Sequence, residues 1–167
     1  MRISTTLPIT LLLLIMMSLP VTGQSAFPEN HDRKAILEVI SNSIGWAKEK
    51  DTALLFSSVT HDTSFFIYHP DSGSTINGYR MFHDFALKNW LRPEFKALEF
   101  RIRELRLDHS LAGDVAWFSC FLDDFCEWKG KRTGWENCRW TGVLEKQKGK
   151  WVLVQMHFSF PEDDMDQ

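Results

Sequence analysis

Apolar positions recur every three or four residues early in the chain, at Ile36, Leu37, Ile40, Ile44 and Ala47. That period predicts an amphipathic helix running to about Lys50, with Asn30 or Asp32 as its cap. Asp51-Thr52 predicts a restart, a short helix over 53–58. Ser64-Phe65-Phe66-Ile67-Tyr68 is rich in aromatic and β-branched side chains and reads as a strand. It stops at His69-Pro70-Asp71-Ser72-Gly73, a dense turn signal. Asn77-Gly78 precedes a third helix with Phe82, Phe85, Ala86 and Asn89/Trp90 along one face, closed by Pro93.

The period then changes to two. Leu98, Phe100 and Ile102 alternate, and Leu105 and Leu107 continue on the other parity, which predicts a bulge near Arg103 and Glu104. A turn over 110–114 leads to long strands over 115–128, 135–146 and 151–160. Gln147-Lys148-Gly149 suits a three-residue hairpin loop. Three helices and a small strand followed by a meander describe an α+β domain.

Alternation divides the late strands into two faces. With a loop over 147–149, Val143 faces Leu153, Thr141 faces Gln155 and Arg139 faces His157. The odd face then carries Asn137, Arg139, Thr141, Gln155, His157 and Ser159, with Trp117, Ser119, Phe121 and Asp123 from the preceding strand. Polar groups among rings suit a pocket for a small, partly apolar organic molecule. An inward Arg139 needs a partner: Asp123, or a ligand carboxylate. The even face (Cys138, Trp140, Leu144, Val152, Val154, Met156, Phe158, Phe160) is nearly all apolar. It suits a homodimer through a convex sheet face, or packing against the chain's own tail or a loop.

Two stretches carry a resemblance. One is Ile67-Tyr68-His69-Pro70 leading through Gly78 into a helix. The other is Arg139-Trp140-Thr141-Gly142-Val143-Leu144 through Gly149-Lys150-Trp151 to Gln155-Met156-His157-Phe158-Ser159. Over residues 34–161 the chain resembles the SnoaL-like and ketosteroid-isomerase-like families of the nuclear transport factor 2-like superfamily. The resemblance implies a conical barrel, with N-terminal helices packed in a strongly curved, mostly antiparallel sheet and a pocket between them. The isomerase's carboxylate base falls at an acid-Pro step, which here is His69-Pro70; its oxyanion-hole Tyr and acid fall near Ser43 and at Thr141. None of the three catalytic side chains is kept, so the resemblance implies a pocket and not ketosteroid isomerisation.

Composition narrows the function classes. Hydrophobic residues make up 44% and charged residues 25%, enough apolar mass for a core. With 22 acidic against 19 basic residues and no basic run, charge-driven nucleic-acid binding is excluded. Residues 1–23 hold Arg2, an apolar run from Leu11 to Met17 and then small residues, the order of a secretory signal peptide. The run is short for a bilayer span. A secreted or periplasmic single domain over 24–167 follows, with no membrane attachment after cleavage. If the hairpin is centred on Arg132, Cys126 and Cys138 lie opposite each other and could form a disulfide; the alternative is three buried thiols.

The candidate chemistry is cofactor-free acid–base catalysis of isomerase, dehydratase or hydrolase type. His69 would be the base, with His157 and Arg139 polarising a substrate oxygen. Trp117, Phe121, Asp123, Asn137, Thr141 and Gln155 would line the substrate. A metal site on His69, His83 and His157 is not demanded by the spacing. The rival reading is a non-catalytic ligand-binding or dimerisation module whose polar cluster is structural.

Overall fold

The computed structural model describes residues 30–71 and 73–161; the expected leader lies outside them. Helix α1 spans Asn30–Gly45 and tightens into a 3-10 turn over Trp46–Lys48. Its buried hydrophobic residues, Ile36 and Ile40, belong to the predicted stripe. The Asp32 carboxylate instead receives Lys146 Nζ at 3.0 and 2.9 Å and Trp151 Nε1 at 3.2 Å. It thereby ties α1 to strands more than a hundred residues away. Helix α2, Thr52–Ser57, is capped by Asp51, whose side chain accepts from the Leu54 amide.

Strands β1 (Phe66–Tyr68) and β2 (Ile76–Asn77) form a small ladder, and α3 follows over Gly78–Phe85. A π-helical turn, Ala86–Trp90, extends α3, with the Leu91 amide donating back to Ala86 O. Four long strands complete the domain: β3 (Phe95–His109), β4 (Val115–Trp128), β5 (Lys131–Gln147) and β6 (Lys150–Ser159). The predicted bulge is present: register shifts between Arg103 and Arg106, with Glu104 at φ 53°.

The expected barrel is not formed. The six strands make one open mixed sheet in the order β2-β1-β6-β5-β4-β3, with β2 and β3 as edges and β1 parallel to β6. The conical, strongly curved barrel is therefore corrected to an α+β domain with helices on one face of an open sheet; the sheet is mostly antiparallel as expected, with four of its five ladders antiparallel. The two-residue β2 ends the sheet beside β1, and among the described residues no ladder joins β2 to β3.

Hairpin geometry corrects the predicted register. Gln147 pairs with Lys150, so the loop is only Lys148-Gly149, at φ 50° and 80°, a type I′ pair. A one-residue shift at Val143/Leu144 then sets Thr141 opposite His157 and Arg139 opposite Ser159. Lys129-Gly130 makes the other hairpin in the same way, at φ 50° and 78°. Its centre lies between Lys129 and Gly130 and not at Arg132, so Cys126 pairs with Thr133 and Cys138 with Leu122. Cys120, Cys126 and Cys138 are all free thiols, and the expected Cys126–Cys138 bridge is absent.

The even face is the inner one. Ala116, Phe118, Leu122, Trp140, Leu144 and Phe158 are buried with Ile36, Ile40, Leu55 and Phe82 of the helices in one core. The chain's own helices thus cover the face expected to await a partner. Among the described residues no helix is long and apolar enough to cross a membrane.

Candidate functional site

The helices leave a cavity of about 290 Å³ against the β4–β5 end of the sheet. Its walls are Trp46, Phe82, Phe85 and Trp90 from the helical side and Trp135, Met156 and Phe158 from the strands. His69, Ser43, Ser74, Thr133, Cys126, Asp71 and Asp124 supply its polar groups. It is a small buried pocket of aromatic and apolar character, the kind of site that takes small organic molecules.

His69 reaches this pocket because it follows Ile67 by two residues, so the chain leaving β1 keeps its alternation. Its ring stacks on Phe158 at 5.6 Å and 12° and on Phe85 at 6.1 Å and 27°, with Trp90 and Trp135 at its edges. Nδ1 lies 2.8 Å from Ser74 O. A carbonyl only accepts, so Nδ1 carries the proton and Nε2 keeps its lone pair. Burial lowers the imidazole's pKa, outweighing Ser74 O and Asp71, which favour the cation. The ring is held neutral with one basic nitrogen.

Asp124 is the second group. Burial pushes its carboxyl up to about 6, with no other cause acting on it. It accepts no hydrogen bond and forms no ion pair among the described residues, and none joins it to His69. On β4 the inner positions read Phe118, Cys120, Leu122, Asp124, Cys126, so Asp124 is the single charge on an apolar row. That isolation is visible in the sequence and could have singled it out.

Its position is fixed from outside. Asp123 points to the outer face, where Arg103 Nε and Nη2 donate to it at 3.0 Å each and the Asn137 amide donates at 2.9 Å. Arg103 also donates to Asn137 Oδ1 at 2.6 Å and lies 5.7 Å from the Phe121 ring. Arg103 holds the Asp123 carboxyl below the usual carboxylate range, with help from the Asn137 amide. Asn137 sits at φ 55° in a bulge, since two residues of β5 oppose Asp123 alone. The extra residue switches the parity of β5, so Thr133 and Trp135 face inward below it and Cys138 and Trp140 above. Gly134 makes this possible: at φ 142°, an added Cβ would strike Asp124 O and come within 2.7 Å of Phe125 Cα.

Of the catalytic and substrate-lining residues singled out from sequence, only His69 lines the cavity; Cys126, considered for a disulfide, lines it as well. Arg139, Thr141 and His157 are exposed on the outer face, where His157 touches Tyr68 at 6.0 Å between rings. Trp117 is 46% exposed. Phe121 and Gln155 share that side through their pairing with Arg103, Arg139 and Val143, and Asp123 and Asn137 through their hydrogen bonds to Arg103. The structure brings none of these to His69, because the face expected to line the pocket is the solvent face. Ser43 does line the cavity, its hydroxyl donating to Ile40 O at 2.8 Å. His83 packs on Phe56, and among the described residues no three His, Cys, Asp or Glu side chains are placed to hold a metal ion.

The sequence profile of the SnoaL-like domain matches residues 36–163. The chain belongs to the SnoaL-like family. This SnoaL-like domain shares its fold with solved NTF2-like proteins. A provisionally assigned dehydratase of the NTF2-like family from Streptomyces avermitilis is 15% identical, with a TM-score of 0.63 over 80% of this chain and 98% of that one. A hexachlorocyclohexane dehydrochlorinase of type 2 is 15% identical, with a TM-score of 0.61 over 79% and 86%. The calcium/calmodulin-dependent kinase II association domain of C. elegans is 20% identical, with a TM-score of 0.57 over 78% and 97%. At these identities the likeness is one of fold. No curated protein matches the chain.

Proposed function

We propose that the SnoaL-like pocket binds a small, partly apolar organic molecule and acts on it by cofactor-free acid–base chemistry of the elimination type. The observation that carries this reading is a neutral imidazole with a free Nε2 in the same aromatic pocket as an unpartnered carboxyl. Nε2 takes a proton from a carbon of the bound molecule, that C–H electron pair forms a C=C bond, and the leaving group departs with its own pair. Asp124 orients the polar end of the ligand. The rings exclude water and hold the carbon frame. The names of two neighbours of like fold, a dehydratase and a dehydrochlorinase, are of the same reaction type.

A metabolite library screened by thermal shift identifies ligands, since binding to the native state raises stability. Hits are then followed by NMR in D2O for exchange or loss of a C–H proton. Exchange abolished in His69→Ala and His69→Gln, with binding and folding retained, is the expected result. Exchange that persists in both variants would overturn the assignment of the base. The rival, a binding pocket without turnover, draws on the absence of any bond between His69 and Asp124; hits that bind but never exchange would establish it.

A further inference from the structure

We infer that the ligand of this pocket carries a cationic nitrogen, seated among Trp90, Trp135, Phe85 and Phe158 with Asp124 as its counter-ion. The inference rests on the pocket being the binding site and adds the chemical class of what fills it.

The charge balance of the cavity is one-sided. Among the described residues its walls contain two carboxyls, Asp71 and Asp124, and no Lys or Arg. The other titratable groups facing Asp124 are His69 from the β1–β2 turn, Cys126 on its own strand and Cys138 on β5. Burial keeps His69 neutral and raises both thiols, so none of them supplies a positive charge. Asp71 is satisfied separately, by the Ser74 hydroxyl and the Gly73 amide. Asp124, half-buried in the cavity wall, is the pocket carboxyl without a donor among the described residues, whereas the neighbouring Asp123 is fully engaged by Arg103 and Asn137 on the other face.

A half-buried carboxylate facing an aromatic cavity without a protein donor is costly, and this chain supplies donors to its buried carboxylates Asp32 and Asp123. The missing partner is then a bound group. An ammonium ion fits on two counts: it pairs with the carboxylate, and aromatic faces attract cations through their quadrupole. An anionic ligand meets the opposite field, with no cationic side chain on the cavity wall to receive it.

The probes are tryptamine, tryptophol and indole-3-acetate, which share one ring system and differ in the charge of the side chain. Binding to the full chain is measured by calorimetry at pH 8 and pH 5. At pH 8 tryptamine is expected to bind at least tenfold tighter than tryptophol, and indole-3-acetate more weakly than either. The preference should shrink severalfold at pH 5, where Asp124 takes up a proton. In Asp124→Asn the preference for tryptamine over tryptophol should fall to about one. A tryptamine preference below twofold, or one that survives in Asp124→Asn, would overturn the inference. Tryptophol separates the two readings: if it binds and tryptamine gains nothing, only the cation is wrong. If none of the three binds, the inference falls together with the pocket assignment.

Discussion

Replacing Asp124 by Asn should make the protein more stable at alkaline pH, although it removes a group of the site. In the folded state burial raises this carboxyl from 3.8 to about 6. Each tenfold change in a proton equilibrium is worth ~1.4 kcal/mol, so the ionised group costs the fold about 3 kcal/mol. The sign follows from where each state holds the proton. Below pH 3.8 both states are protonated and there is no penalty. Between 3.8 and 6 the unfolded chain releases the proton and the folded chain keeps it, so stability falls as pH rises. Above 6 the whole penalty is present. An Asn amide is never charged, but it is buried without partners at a cost of about 1 kcal/mol or more. The net gain at pH 8 is therefore about 1–2 kcal/mol, and at pH 4 the variant should be slightly less stable than wild type. Urea unfolding followed by tryptophan fluorescence at pH 4, 5.5, 7 and 8.5 measures the difference, in which His69 and the other titrating groups cancel. A variant less stable than wild type at pH 8, by the same amount as at pH 4, would refute the reasoning. It would mean that the carboxylate has donors in the folded protein.

Gly134→Ala should cost about 3 kcal/mol or more, from positive-φ strain plus collision with the Asp124 backbone, whereas Gly130→Ala, with open space around it, should cost about 1 kcal/mol. Chemical denaturation of both variants compares them, and equal losses would show that the close approach of β4 and β5 does not matter. Arg103→Met should lower stability at pH 7, by less than breaking a fully buried pair because the Arg103 side chain is 34% exposed. Asp123 is held below its unfolded pKa, so its stabilisation is present above about pH 4 and is lost as pH falls through the folded value. The gap between wild type and variant should accordingly narrow in acid, which a pH series of urea midpoints would detect. Asp32→Ala leaves the Trp151 indole N–H and Lys146 without their acceptor and should cost about 2 kcal/mol; faster amide exchange in α1 is the local signature.

Much of the fold was legible from the chain. The stripe of Ile36 and Ile40, the Asp51 cap, the limits of β4 and the bulge at Glu104 all depend on interactions within a few residues or on simple alternation. The site was legible only at His69, where a turn signal and a resemblance coincided. Asp123 drew attention and Asp124 did not, because alternation separates two faces without saying which one the helices will cover.

The sequence by itself determined which residues share a face, since the period of a strand is local geometry. Whether that face meets helices or water depends on long-range packing, and here the apolar even row lies under α1, α2 and α3. Register was decided in the same way. A type I′ Lys-Gly turn in place of a three-residue loop, followed by one bulge, moves Thr141 to His157. The tertiary structure alone placed a lone carboxyl and a neutral histidine in one aromatic cavity. Their codons lie 55 residues apart, and only the burial of the even face of β4 against the helices brings Asp124 to the pocket that His69 already lines.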